Sequence, residues 1–304
     1  MSAHFVLLLL IVMAAIVWSA CFVGCLSEPP RPVSDYYLYQ KTVVDTPGLV
    51  AFWPLNDTSG TVAVELAPNH FNGTYTMGPD VTTYNAAQQS DASPGTFSLN
   101  QTNIVAGDTA NGNPAAPNPC VYFNGGYVNV PWQPSLGPSQ FTLEAWVVPN
   151  WTLADAQTNP SYRVVVESGV AAGFAGFALL ATPDNLWSAQ IGIGSQFATA
   201  TAGSNQTIVQ GSLYFLVVTY DGSTLTLWVN PADTTQPPDA SVAASGYASV
   251  PSPVPVYIGT GRPDLPTPLF PFNGSIQDVA LYRAVLDGKT IENHYLNGSG
   301  MQVS

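Results

Sequence analysis

Charge is scarce in this chain of 304 residues. Asp, Glu, Lys and Arg together make up 8% of it, and only six are basic against nineteen acidic, a formal net charge of -13. That balance excludes nucleic acid as a partner, because phosphate binding rests on clustered Lys and Arg. Histidine is equally rare, with three in all, so a histidine triad or a zinc site is hard to assemble; His70 and His294 are read as packing or surface residues. Of the three cysteines, two lie near the N-terminus, which leaves Cys120 without an intramolecular partner and excludes a disulfide framework. Cys120 itself reads as a small core residue on a strand. Few Lys and Glu also means few polar faces for amphipathic helices. The 27 prolines and 26 glycines interrupt the chain too often for long ones. What remains is a β-rich, loop-rich composition.

The longest apolar run is FVLLLLIVMAAIVWSACFVGCL, Phe5 to Leu26. It matches the roughly 20 residues that cross a bilayer, so residues 1–26 are read as a membrane anchor or an export signal. No Lys or Arg precedes it, and the orientation follows from the polar domain behind it, which is placed outside the cell. Both WSAC and FVGC resemble a lipoprotein cleavage box, making Cys21 and Cys25 candidate lipidation sites, although Trp18 and Phe22 stand where a Leu-like residue is expected. From 27 to 47 the chain is SEPPRPVSDYYLYQKTVVDTP, a Pro-rich stretch that favours an extended tether.

A globular domain is expected over 48–304. Short alternating runs recur between turn residues: LVAFWPL, CVYFNGGYVNV, FTLEAWVVP, RVVVES, FALLA, LYFLVVTY, LTLWVN, VPVYIG and SIQDVALY. Many short strands at such spacing predict a two-sheet sandwich or jelly roll rather than βαβ units. One helix is expected near the end, capped by Asp287 and stopped at Gly298 or Gly300. Two polar segments, 77–119 and 231–255, read as insertions. In YDGSTLTLWVN an Asp221-Gly222 turn would pair Val218 with Leu225 and Leu216 with Leu227, leaving Phe215 and Trp228 as an aromatic ledge on the opposite face.

Several of these motifs, in this order, resemble the laminin-G-like members of the concanavalin A-like lectin/glucanase superfamily. The residues that carry the resemblance are GLVAFWPLND (48–57), NHFNGTY (69–75), VYFNGGYVNVP (121–131), FTLEAWVVP (141–149), YDGSTLTLWVN (220–230), IGTGRP (258–263) and FNGSIQDVALYRAVLDGKTIENHY (272–295). Together they span essentially everything after the tether. The resemblance implies an all-β, two-sheet antiparallel jelly roll with one short C-terminal helix. It also implies an extracellular binding or adhesion module, taking a carbohydrate or a surface protein, and a structural calcium ion. For that ion it points to Asp278 and the Asn56-Asp57 turn.

Catalysis by paired carboxylates needs an acid and a base or nucleophile a few ångströms apart. No strand here carries two carboxylates at alternating positions, and Glu144 stands alone in FTLEAWVVP, read as solvated or paired to Arg163 or Arg283. The expected function is therefore non-catalytic binding, with glycoside hydrolysis behind it. An alternative of another class is a structural subunit of a surface filament or envelope assembly, held in a homo-oligomer by its N-terminal helix. Sugar binding favours aromatic faces beside polar groups, which nominates Trp132, Trp151, Trp187 and Trp228. Seven Asn-x-Ser/Thr sequons, at Asn56, Asn72, Asn100, Asn150, Asn205, Asn273 and Asn297, mark candidate glycosylation sites.

Overall fold

The computed structural model describes residues 38–78, 95–108, 118–251 and 253–301. The N-terminal apolar segment with Cys21 and Cys25, the first part of the expected tether and much of the 77–119 insertion lie outside the described residues. Among the described residues no helix is long and apolar enough to cross a membrane.

Two eight-stranded antiparallel sheets make the fold. In chain order the strands are β1 (Leu49–Trp53), β2 (Val62–Ala63), β3 (Gly73–Thr76), β4 (Thr96–Gln101), β5 (Cys120–Asn124), β6 (Tyr127–Val130), β7 (Phe141–Pro149) and β8 (Arg163–Val170). They continue with β9 (Ala175–Ala181), β10 (Trp187–Gly192), β11 (Phe197–Thr201), β12 (Tyr214–Tyr220), β13 (Thr224–Val229), β14 (Ala240–Ala243), β15 (Val256–Ile258) and β16 (Asn273–Tyr282). Among the described residues three α-helices accompany them: α1 (Leu38–Asp45), α2 (Leu153–Thr158) and α3 (Gly288–Ser299). The first sheet runs β14-β13-β12-β7-β16-β5-β4, with β1 also on β16; the second runs β11-β10-β9-β8-β15-β6-β3-β2.

The main core lies between the sheets, where Leu143, Ala145 and Val147 of β7 meet Val166, Leu179 and Ile191 of the other sheet. A second apolar layer covers the outer face of the first sheet. There Trp146 stacks on Phe215 at 4.6 Å between ring centroids and on Tyr295 of α3 at 6.0 Å, and Tyr39 of α1 meets Trp146 edge-on. β7 is thus covered on both faces, which is why FTLEAWVVP is almost uniformly buried rather than alternating.

Several expectations change. Residues 38–45, expected within the extended tether, form α1 instead, because Tyr39 and Val43 find a site on the sandwich and are fully buried. CVYFNGGYVNV is two strands in different sheets, crossing between them at Gly125 and Gly126; Gly125 takes φ 91°, which glycine adopts without penalty. The 77–119 insertion contributes β4, and the 231–255 insertion contributes β14, each extending the first sheet. The β12-β13 pairing slips by two residues, to Val218 with Leu227 and Tyr220 with Leu225, because Asp221 Oδ1 accepts from the amides of both Ser223 and Thr224 and closes a longer loop. A slip of two preserves the faces, so Leu216, Val218, Leu225 and Leu227 stay inward. The Phe215–Trp228 ledge is covered, as expected, by Ile104 and Val105 of the 77–119 insertion and also by helices α1 and α3. The C-terminal helix has the expected caps: Asp287 accepts from the Thr290 amide and Gly300 closes the end at φ 75°.

Candidate functional site

The outer face of the second sheet holds a cavity of about 240 Å³ lined by residues of β8, β9, β10 and β11 and of the segment before β16. A bulge between Val164 and Val166 re-phases β8, so Val164 and Glu167, three apart, share the outer face. Strand register then places Glu167 opposite Ala178, Ala178 opposite Gln190, and Gln190 opposite Thr199, a lateral row across four strands. Ala178 is the small member of that row, and the missing side-chain volume is the floor of the cavity. The walls are aromatic: Tyr162 meets Phe270 edge-on at 5.5 Å, and Phe197 meets Phe174 edge-on at 5.3 Å. Val164, Ala178 and Leu180 with Phe270 form an apolar cluster separate from the main core.

Glu167 is half-buried, with its one open side toward the cavity. Enclosure by protein pushes its carboxyl up to about 7, against the backbone N–H of Arg262, which favours the charged form; the charge of Asp264 raises it further, and that of Arg262 opposes the rise. Gly261 packs so close that a Cβ there would fall 2.6 Å from Glu167 Oε2, so this glycine is what lets the loop bring Arg262 to the carboxylate. The Arg262 guanidinium donates to both oxygens of Asp264, Nε to Oδ1 at 2.8 Å and Nη2 to Oδ2 at 3.1 Å. This two-point pair fixes the side chain on which the cavity rim is built.

Buried acids cluster elsewhere, on the outer face of the first sheet beneath α1. Strand β16 pairs first with β5, through Ile276, and then with β1, from Val279; the break between them falls at Asp278, which takes φ 54°. The bulge there reverses which face the following residues present. Ile276 joins the inter-sheet core, whereas Ala280 and Tyr282 join the outer layer, so Asp278 does not share a face with all three as the alternation predicted. Asp278 is fully buried; neither of its carboxylate oxygens has a well-formed hydrogen bond, though the side-chain amides of Gln40 and Gln277 lie close enough to favour its charged form, and Asp108 Oδ1 likewise lacks a well-formed bond. Asp108 Oδ2 accepts from Asn118 and, at 3.2 Å, from Gln277. Burial, and then the charge of Asp108, raises the Asp278 carboxyl well above its ordinary range; burial lifts Asp108 to about 7.

Asp57, expected beside Asp278, instead accepts from the Tyr75 hydroxyl at 2.9 Å and the Val64 amide. Among the described residues no three His, Cys, Asp or Glu converge on a metal position. Calcium also takes amide and backbone carbonyl oxygens, however, and three buried carboxylate oxygens without well-formed hydrogen bonds are a donor set that suits a hard cation. Asp108 and Asp278 therefore fit a calcium ion; Asp57 does not join them.

Glu144 is neither solvated nor paired to an arginine. It lies fully buried with His294 Nδ1 at 3.0 Å and the Tyr282 hydroxyl at 2.9 Å, while His294 Nε2 meets Thr46 Oγ1 at 2.9 Å. Arg163 lies over the Trp151 ring at 5.0 Å. Two of the nominated tryptophans are core residues: Trp187 is fully enclosed, and Trp151 is buried, donating to Asn185 at 2.8 Å. Trp228 is half-buried in the outer aromatic layer under the helices. Trp132 is half-buried and lines a smaller cavity of about 140 Å³ with Leu136, Ser249 and Val254. Of the sequon asparagines, Asn72, Asn100, Asn150 and Asn205 are exposed. Asn56 donates to Asn118, Asn297 to Thr42, and Asn273 accepts from Tyr122, so these three point their amides into the fold.

Sequence reasoning missed Tyr162, Glu167, Gln190, Arg262 and Phe270. Glu167 left a trace as the one acid in RVVVES and Arg262 lay within IGTGRP, but neither was marked as a site residue; Tyr162 directly precedes β8, Gln190 meets Glu167 through sheet register, and Arg262 and Phe270 come from a loop about a hundred residues further along.

No curated protein matches this chain. Among solved structures, Trypanosoma rangeli sialidase in complex with the inhibitor DANA aligns over 84% of the chain at 16% identity and a TM-score of 0.46, and the chain spans 33% of that sialidase. The Ruminococcus gnavus IT-sialidase CBM40 bound to α2,3 sialyllactose aligns over 53% of the chain and 84% of its own length, at 16% identity and a TM-score of 0.41. The family model described as the concanavalin A-like lectin/glucanases superfamily matches residues 123–292, more than half of the chain, from β5 into α3. The chain belongs to the concanavalin A-like lectin/glucanases superfamily, as a laminin-G-like member.

Proposed function

We propose that this protein is an extracytoplasmic binding module, tethered through its apolar N-terminal segment, that takes a carbohydrate in the cavity on the outer face of the second sheet. The observation that carries this reading is the cavity itself: aromatic rings at Tyr162, Phe197 and Phe270 stand beside the polar edges of Glu167 and Gln190. A pyranose presents the complementary pattern, apolar ring faces rimmed by hydroxyls. The test is glycan binding by the full-length protein and by Ala178→Phe, which fills the floor beside Glu167 while keeping its carboxylate. Binding to at least one glycan, lost in the variant at unchanged Tm, is expected. Absence of any bound glycan, or equal binding by the variant, overturns the reading.

We assign the module no hydrolysis. Most glycosidases use two available carboxyl groups, and both oxygens of Asp264 are spent on Arg262, leaving Glu167 without a second carboxylate in the cavity. Release of reducing sugar that disappears in Glu167→Gln would reverse that assignment.

The Asp108 and Asp278 carboxylates hold a structural calcium ion in this reading, supported by their buried oxygens without well-formed hydrogen bonds. Added calcium then raises Tm by mass action and chelator lowers it. Asp278→Asn abolishes the difference; a wild-type Tm indifferent to calcium rejects the ion.

A further inference from the structure

The charges around the cavity decide which sugars it can hold, an inference that rests on the carbohydrate reading above. Arg262 is the one basic residue in the lining, and its guanidinium is engaged at two points by Asp264, whose Oδ2 also accepts from the Ala171 amide at 3.3 Å. Glu167, Arg262 and Asp264 together therefore carry one negative charge in excess whenever Glu167 is ionised. A ligand carboxylate would meet that excess without a cation left to receive it, since turning Arg262 toward it would strand Asp264.

A ligand cation meets the opposite situation. The Glu167 carboxylate opens onto the cavity and has a single backbone donor, the N–H of Arg262, so it retains acceptor capacity. The rings of Tyr162, Phe197 and Phe270 line the same space, and aromatic rings attract ammonium groups to their faces. Gln190, one strand beyond Ala178 in the lateral row, makes no hydrogen bond among the described residues and can turn its amide to a hydroxyl. At about 240 Å³ the cavity is smaller than the roughly 300–1,000 Å³ of drug-sized sites, the scale of a single ring rather than a chain lying along the sheet.

We infer that the cavity selects a sugar bearing a free amine, its ammonium paired to Glu167 among the aromatic rings, and rejects sugars bearing a carboxylate. An enclosed carboxyl held up to about 7 is the expected signature of such a site before its cation arrives. N-acetylation of the amine removes the charge and adds bulk at the same position.

The test measures binding of the full-length protein, by calorimetry at one salt concentration, to glucosamine oligomers, their N-acetylated counterparts, oligouronates and choline. The free-amine oligomer is expected to bind at least roughly tenfold tighter than its acetylated counterpart, with oligouronates not bound. Glu167→Gln should erase that preference while Ala178→Phe erases binding altogether. Equal binding of the acetylated oligomer, or tighter binding of the uronate, overturns the amine inference and leaves the carbohydrate reading standing. Choline binding as tightly as the amino sugar, with no sugar dependence, overturns the sugar part of it. Binding to no saccharide of any charge sinks the reading beneath.

Discussion

Glu144 and His294 lie 150 residues apart and bury each other's polar atoms at 3.0 Å, on the face where Trp146 and Phe215 make an apolar layer. Such a pair is weak proof of net stability, yet removing one partner strands the other in a medium that solvates it poorly. His294→Ala should therefore cost about 3–5 kcal/mol, read from urea unfolding monitored by tryptophan fluorescence, and Glu144→Gln in the same background should recover part of the loss. A cost below that of an ordinary surface substitution would show that the pair is not buried as described. The sequence marked Glu144 as unusual, a lone acid in an apolar strand. It could not supply the partner, because nothing in local pattern links β7 to a helix after β16. The same holds for Glu167: the acid was visible in RVVVES, while Arg262 and Phe270 reach it only through tertiary structure.

At the level of elements, the faces of the regular strands were legible, whereas bulges, as in β8 and β16, and the connections were not. The core set of the β12-β13 hairpin survives a two-residue slip because the side-chain period is two; the turn length depended on how many amides Asp221 would accept, which a dipeptide does not reveal. Helix α1 was hidden by the prolines that precede it and by the fact that its stability comes from burial of Tyr39 and Val43, not from its own composition. The helix at the other end docks by close approach. A Cβ on Gly298 would come within 2.2 Å of Trp146 Cζ2, so Gly298→Ala should push α3 off the ring. The expected cost is about 1–3 kcal/mol, with a diminished near-ultraviolet tryptophan circular dichroism signal. An unchanged spectrum would mean that the helix does not rest there.

For the whole molecule, pH is the informative variable. Burial raises both Glu65 and Glu167 to about 7 in the folded protein, above their values in the unfolded chain. A folded state that holds protons which the unfolded chain releases is stabilised on the acid side: the contribution is complete below the unfolded value near 4.5 and is lost as pH rises through about 7. Glu65 also accepts from the amides of Phe52, Ala67 and Phe71, which support its charged form and temper the effect without reversing it. A formal net charge of -13 acts in the same direction, through self-repulsion that grows with pH. Tm should fall between pH 5 and pH 8, by roughly 5 °C for a stability change of one to two kcal/mol. Glu65→Gln should flatten the profile, and a wild-type Tm that rises over this window contradicts the assignment.

Strand β16 follows every other described strand in the chain, yet it pairs with β1, β5 and β7 and so joins the two halves of its sheet. During synthesis, then, the first sheet stays incomplete until β16 has emerged, and the earlier strands wait with their edges open. Nascent chains stalled before residue 273 should be digested by protease as readily as unfolded protein, and protection should appear in one step once residues 273–282 clear the exit tunnel.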